Sequence, residues 1–339
     1  MVALIPVFAA AVLNTGYQYL RALDKAGDET VNGWRDDFIH GLGMDIQDPS
    51  VFGMVTVGLV HIVPVLIMAM MAGGICERFF AIQRKRPMEM GFIVSAMVFT
   101  MLLPPAVSLF HVALGMVFGI VFGKGVFGGE GKTFLNPALL GAAVVQISFP
   151  TAQSNHPLWE GIAGYSGSRI FSLYHESGAA AFAPSGIGWG DAFIGAQQGM
   201  MGTTSTLAVM TGGALLVWSR IVSWRLILGC VLGLVLAATV GNFIGGGILA
   251  LPWYWHLVLG SFAFGVVFVA TDPASSASTD SARWIQGLIA GGLVVMIRVV
   301  NPSHPDGVVI AILLGSVLAP LIDYAVVLFN VRQRAKRNG

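Results

Sequence analysis

Charged side chains are scarce in this chain: Lys, Arg, Asp and Glu make up 10% of its 339 residues, against roughly a quarter in an ordinary soluble domain. That shortage excludes a water-exposed globule. It also excludes a coiled coil, which needs dense charge beside its heptad seam, and a 55% apolar content excludes disorder. A net charge of +1 leaves no basic surplus to hold a nucleic-acid backbone. Cysteine is nearly missing. Cys76 and Cys230 lie inside apolar runs, so neither a disulfide framework nor an all-protein iron–sulfur or zinc site is available from them. There is no Walker loop, no nucleophile elbow and no H-E-x-x-H, and the one G-x-G-x-x-G spacing, Gly123 to Gly128, closes an apolar span instead of following a strand, so it is no dinucleotide turn; nucleotide hydrolysis or soluble nicotinamide binding would need another subunit.

What the chain has instead is apolar residue and glycine, with a mean hydropathy of +0.78 and 44 glycines. Charge is absent over residues 51–76, 90–123, 134–159, 192–219 and 226–271, and about 20 apolar residues suffice to cross the hydrocarbon core. Pro104-Pro105 interrupts the second run, and the stretch from Gly245-Gly246-Gly247 to Trp253 interrupts the fifth, so both predict helical hairpins. Adding 2–20, 284–300 and 307–328 predicts an all-α polytopic membrane protein with about ten transmembrane helices. The opening Met1-Val2-Ala3-Leu4-Ile5 has no basic n-region and no small-residue cleavage site after it, so the first span is expected to be retained. Lys and Arg concentrate on one set of alternating loops, Arg84, Lys85, Arg86 and Lys124 among them, whereas Arg21, Lys25, Arg35, Arg169 and Arg298 fall on the other. The positive-inside rule then puts both termini in the cytoplasm and the 21–49 and 161–190 loops outside.

An internal echo predicts two halves. Asn136-Pro137-Ala138-Leu139-Leu140-Gly141 and Asn301-Pro302, followed by Ile312-Leu313-Leu314-Gly315, each open a late span. Asp272-Pro273 opens another polar break. Asn or Asp before Pro suits an N-cap followed by the first helical position, and helix starts inside a membrane occur where backbone lines a cavity. The expected arrangement is one integral membrane domain, 1–339, made of two inverted five-helix repeats, about 1–160 and 191–330, with the outside loop 161–190 between them.

Polar residues inside spans are expensive, which makes them candidates for function. Asp272 reads either as an interfacial helix cap or as a carboxylate at a cavity shared with the oxygen-rich run Ser275, Ser276, Ser278 and Thr279. Gly73-Gly74 with Glu77 reads either as close helix packing or as a flat slot for a planar ring beside a proton-exchanging carboxylate. His61, His111 and His256 have no second His or Cys at helical spacing; they read as hydrogen-bonded packing residues, and no metal site is expected. Trp253-Tyr254-Trp255 reads as an aromatic belt, and the acidic 21–49 loop as a solvated face. No paired charges are visible inside the spans.

Several ordered segments carry a resemblance. They are Gly73-Gly74-Ile75-Cys76-Glu77, Val126-Phe127-Gly128-Gly129-Glu130-Gly131, Phe134-Leu135-Asn136-Pro137-Ala138-Leu139, Ser223-Trp224-Arg225, Trp255-His256-Leu257-Val258-Leu259-Gly260, Thr271-Asp272-Pro273 and Ile297-Arg298-Val299-Val300-Asn301-Pro302. Over nearly the whole chain this set resembles the NqrB/RnfD family, membrane subunits of the sodium-pumping NADH:quinone reductases and of the Rnf complex, and the reductase branch more closely. The resemblance implies a fold like that of urea and ammonium channels. It implies a membrane subunit that passes electrons through bound flavin toward quinone in a redox-driven ion pump, set in a bacterial inner membrane among other subunits. By position it implies a riboflavin near Thr133, Asn136 and Pro137, quinone near Gly73, Gly74 and Glu77, and ion coupling at Asp272. Family members carry an N-terminal extension before the first span that does not appear here.

One segment departs from the family pattern. Where the family has a Ser-Gly-Ala-Thr loop esterified to FMN, this chain reads Ser166-Gly167-Ser168-Arg169, and Ala163 stands where an acidic residue is common. Arg cannot form a phosphoester. It can hold a phosphate by a bidentate contact, while Ser168 offers a hydroxyl displaced by one residue and aimed differently. The loop thus binds FMN covalently, binds it noncovalently or binds none, and riboflavin or FMN held without a covalent bond is the expected cofactor. The competing reading is a solute channel or transporter of the same fold without redox activity.

Overall fold

The computed structural model describes residues 1–26, 34–41, 50–129, 131, 133, 135–149, 188–245, 247–300 and 306–338. Among them there is no strand, and we number the described helices in order: α1 Ile5–Ala26, α2 Trp34–Gly41, α3 Val51–Arg84, α4 Gly91–Met101, α5 Leu109–Ile120, α6 Pro137–Ser148, α7 Trp189–Ile194, α8 Thr206–Trp218, α9 Trp224–Ile244, α10 Trp253–Val258, α11 Phe262–Phe264, α12 Asp280–Val300 and α13 Val308–Asn338. Five helical stretches are long and apolar enough to cross a membrane, Val2–Arg21, Val51–Arg84, Trp224–Ile244, Asp280–Val300 and Val308–Lys336. Four shorter apolar helices accompany them. Phe243, Trp218, Met296 and Phe79 stand exposed on these helices, which suits lipid as the surrounding medium.

Local chemistry sets most of the helix ends. Ser50 caps α3 by accepting from Gly53 N at 3.1 Å, and Ser205 caps α8 by accepting from Ala208 N at 3.2 Å. Helix α4 stops at Met101 ahead of Pro104-Pro105, and α5 starts at Leu109, so the expected break is found. The second is found too, with α9 ending at Gly245 (φ 74°) and α10 starting after Pro252. The expected single span over 192–219 is instead broken. Helix α7 ends at Gly195 in left-handed geometry and the chain runs irregularly to Ser205 before α8 begins. The 21–49 loop contains a helix, α2.

Helices approach most closely where glycines face each other. Helices α9 and α12 make the most extensive contact, α1 lies on α3, α5 on α6, and α1 and α6 reach across to α8 and α13. Gly229 and Gly233 of α9 face Gly287 and Leu288 of α12, while a Cβ on Gly291 would collide with the Cys230 carbonyl. Both strips are small-x-x-x-small patterns that let backbones touch. Gly291→Ala is expected to destabilise the chain by about 1–3 kcal/mol, read as a lowered thermal midpoint in detergent; an unchanged midpoint would show that the seam can part freely.

Two helices pass into wide, π-helical turns at corresponding places. Helix α5 continues as Val121–Gly125, with Val126 N bonding to Val121 O at 2.8 Å, and α11 continues as Gly265–Ala270. The sequences entering them match: Phe118-Gly119-Ile120-Val121-Phe122 and Phe264-Gly265-Val266-Val267-Phe268. Each pair of phenylalanines stacks in a tilted arrangement, 34° at 4.4 Å for Phe118 and Phe122 and 32° at 5.2 Å for Phe264 and Phe268. Single π turns of this kind gather at functional sites.

Candidate functional site

The two wide turns lead into one cavity of about 360 Å³, lined by Lys124, Thr133, Asn136 and Pro137 from one side and by Thr271 and Asp272 from the other. Asn136 caps α6 through Oδ1, which accepts from Ala138 N at 2.9 Å and Leu139 N at 3.3 Å, and Pro137 takes the first helical position. Its Nδ2 is thereby turned outward and donates to Asp272 Oδ2 at 3.1 Å. Asp272 also accepts from Ala274 N at 3.3 Å and Ser275 Oγ at 3.3 Å. Asp272 does not cap a helix, since residues 273–279 run as turns before α12; its carboxylate closes the turn after Thr271 and faces the cavity. Thr133 Oγ1, also on this wall, is buried with no hydrogen-bond partner. The remaining walls are mostly apolar, with Val94, Val98, Leu216, Val267 and Phe268, and Ser95 adds a hydroxyl. A few polar groups on an apolar frame of this size is the usual make-up of a small-molecule site.

The run from Ser275 to Thr279 does not form one oxygen cluster. Ser275 turns to Asp272, whereas Ser278 N, Thr279 N and Thr279 Oγ1 donate to Asp323 of α13 at 2.7, 3.0 and 2.8 Å.

Lys124, assigned from sequence to a cytoplasmic loop, is buried in the first wide turn. Its Nζ lies 3.3 Å from Glu77 Oε2 and 3.1 Å from Glu89 Oε2. Glu77, near the end of α3, is thus tied to the cavity through Lys124. Arg84 adds a hydrogen bond to the Gly125 carbonyl and stacks over Phe80. A Cβ on Gly73 would meet Met116 and Phe92, and one on Gly74 would meet Phe92 and Met88. The glycine pair thus lets these side chains pack close, and Glu77 and Lys124 supply charge next to it.

Arg298, assigned from sequence to the outside loops, is fully buried in α12. It donates to the carbonyls of Asp306 (3.0 Å), His256 (3.0 Å) and Leu259 (3.2 Å), contacts His256 Nδ1 at 3.1 Å, and pairs with Asp306 Oδ1 at 3.4 Å. The expectation that the spans hold no paired charges is corrected by this pair and by Glu77–Lys124. Partners 47 residues apart, as Lys124 and Glu77 are, leave no local signal. His61 sits as a hydrogen-bonded packing residue, bonded to Val57 O at 2.9 Å, whereas His111 stacks on Phe149 at 4.2 Å and its buried Nδ1 has no hydrogen-bond partner among the described residues. Ser166, Gly167, Ser168 and Arg169 lie outside the described residues, as do Asn301 and Pro302.

Sequence reading singled out Asn136 and Asp272 but missed Lys124, Arg298, Asp306 and Gln197. A usable signal for Lys124 existed in the repeated Phe-Gly-x-Val-Phe segment, whose second copy leads to Asp272 as its first leads to Lys124.

The model of the NQR2, RnfD, RnfE family matches residues 1–331. A Pseudomonas aeruginosa protein, named as the B-type subunit of a Na(+)-translocating NADH-quinone reductase, is 42% identical over 340 residues, covering 98% of this chain and 84% of that one. Its namesake from Azotobacter vinelandii is 41% identical over 341 residues with the same coverage. The Klebsiella pneumoniae protein of that name is 39% identical over 349 residues, covering 99% of this chain and 85% of its own length.

Proposed function

The chain belongs to the NQR2, RnfD, RnfE family, and on that premise we propose that it is the membrane subunit of a sodium-translocating NADH:quinone reductase, working among other subunits in a bacterial inner membrane. The observation that carries the reading further is the cavity where Asn136 meets Asp272. We read the helices as ten crossings, formed by α1, α3, α4, α5, α6, α8, α9, α10 with α11, α12 and α13, in one membrane domain of two inverted halves. Both termini lie in the cytoplasm, a reading supported by Arg332, Arg334 and Lys336 at the end of α13.

The cavity residues fit a flavin. The space suits a flat amphipathic ring system, apolar walls would take its faces, and the orphaned Thr133 hydroxyl offers the hydrogen bond that a ring carbonyl or ribityl hydroxyl would complete. Bound flavin supplies the electron-transfer chemistry; this chain supplies burial, orientation and charge. Asn136 and Pro137 fix the edge of the site through the start of α6. Lys124 sets a positive charge at the cavity wall and a link to Glu77. We place quinone at the cytoplasmic rim near Gly73, Gly74 and Glu77, and ion coupling at Asp272, whose carboxylate closes the far side. With Arg169 at the loop's acceptor position, the flavin of this chain is noncovalent riboflavin or FMN. The channel alternative is favoured by the loss of Thr at position 169; the lack of internal paired charges, which was compatible with it, is removed by Glu77–Lys124 and Arg298–Asp306.

Purified complex is expected to release flavin on denaturation and to leave no fluorescent band at this subunit's mass on a denaturing gel under ultraviolet light. Asn136→Leu is expected to lower the flavin recovered per complex severalfold. A fully flavin-free wild-type complex, or unchanged flavin content in Asn136→Leu and Thr133→Val alike, would overturn the assignment of this cavity.

A further inference from the structure

A second, much smaller void lies away from that cavity, where three irregular pieces of backbone meet. They are the connection from Gly195 to Ser205 ahead of α8, the break between α10 and α11 where Gly260 takes φ 73°, and the residue two before α13. The void measures about 10 Å³, room for the centre of one water-sized sphere, and Gln197, Gln198, Thr203, Thr204, Ser261 and Asp306 line it. Gln197 is 2% exposed and Gln198 5%. The Gln197 amide has its orientation fixed, because Nε2 donates to the carbonyls of Val258 (3.0 Å), Thr204 (3.2 Å) and Ala192 (3.4 Å). Among the described residues its Oε1 is left with no hydrogen-bond partner, and Gln198 Oε1 has none either. Two orphaned acceptors among the residues around one void require something that a donor-poor wall does not give them.

The charge around the void narrows the occupant. Among the described residues Asp306 is the one carboxylate on its wall; it accepts from Ser261 N at 3.0 Å and from Ser261 Oγ, and Arg298 compensates it at 3.4 Å. A divalent ion calls for more than one carboxylate, and a hydrated ion does not fit a single sphere. An oxygen-lined, nearly neutral site of that size suits a single dehydrated monovalent cation. We propose that this void binds one such cation, with the amide oxygens of Gln197 and Gln198 and the oxygens of Ser261 and Asp306 as its ligands. That the cation is sodium rests on the proposed function; that a cation binds there does not.

Thermal unfolding of the full chain in lipid nanodiscs tests it, titrating NaCl against choline chloride at constant ionic strength with KCl as a second comparison. The wild type is expected to gain a saturable rise in midpoint in sodium that choline does not reproduce. Gln198→Leu is expected to raise the half-saturating sodium concentration roughly tenfold or more, about 1.4 kcal/mol of binding per factor of ten. Gln198→Glu, which adds a charge to the void and covers the case in which the Leu variant does not fold, is expected to lower the half-saturating concentration. A midpoint insensitive to cation identity would mean that the void holds water and would overturn the proposal, as would a sodium response unaltered in both variants. A response to potassium equal to that for sodium would uphold the site and remove sodium as its ion. Because unfolding rather than turnover is read, a chain without flavin or quinone activity still reports.

Discussion

Lys124→Met is expected to lower sodium-dependent quinone reduction by the assembled complex roughly tenfold or more and to destabilise the subunit by about 3–5 kcal/mol, the usual range for removing one partner of a buried ion pair. The ammonium group stands between Glu77 and Glu89, at 3.3 and 3.1 Å, and is 4% exposed. Without it the buried Glu77 carboxylate loses its cation and is left beside the partly exposed Glu89 as a like charge. Most of that penalty should go when Glu77 is neutralised as well, so Lys124→Met with Glu77→Gln should regain most of the lost thermal midpoint. Turnover should not return in the double variant, because the wall between the Asn136 cavity and the end of α3 has lost its charge. A double-mutant cycle on midpoint and rate separates the two effects. Full activity in Lys124→Met would remove this residue from the machinery, and recovery of both quantities in the double variant would reduce its role to stability.

Arg298→Leu is expected to be the most damaging single change to folding, again about 3–5 kcal/mol, with little subunit recovered from membranes. Asp306, 7% exposed, would keep only Ser261 among its described partners, and the carbonyls of His256, Leu259 and Asp306 would lose their donor. Arg298→Lys should rescue poorly, because a compact ammonium cannot serve several carbonyls and a carboxylate from one planar fork. Arg298→Leu combined with Asp306→Asn should recover more protein than Arg298→Leu alone. Equal recovery of Arg298→Lys and wild type in a membrane-fraction assay would show that charge, and not the fork, is what matters there.

These residues also mark the limit of what could be read from the chain. Tracing spans by gaps in charge found the break at Pro104-Pro105 and the one after Ile244 because proline and glycine act locally. The same method joined 192–219 into a single span, since Gln197, Gln198, Thr203 and Thr204 are polar without being charged. It also ended a span at Lys124 and counted Arg298 as a loop cation, because an ion pair hidden by folding looks in sequence like two exposed charges. Asn136 and Asp272 were legible one at a time, as residues before proline. Their meeting was not, since 136 positions separate them and only tertiary structure brings them to one wall. The flavin loop reading at Arg169 draws on residue identity alone.

The hydrogen bond from Asn136 to Asp272 works as a clasp between the start of α6 and the turn that follows α11. Any rocking of one helix group against the other has to open it, and a molecule seated beside it either keeps it fastened or replaces it. Occupancy of the cavity and the relative tilt of the two groups are for that reason one equilibrium seen from two ends: whatever tightens the latch raises affinity, and whatever loads the cavity resists the tilt by the same free energy.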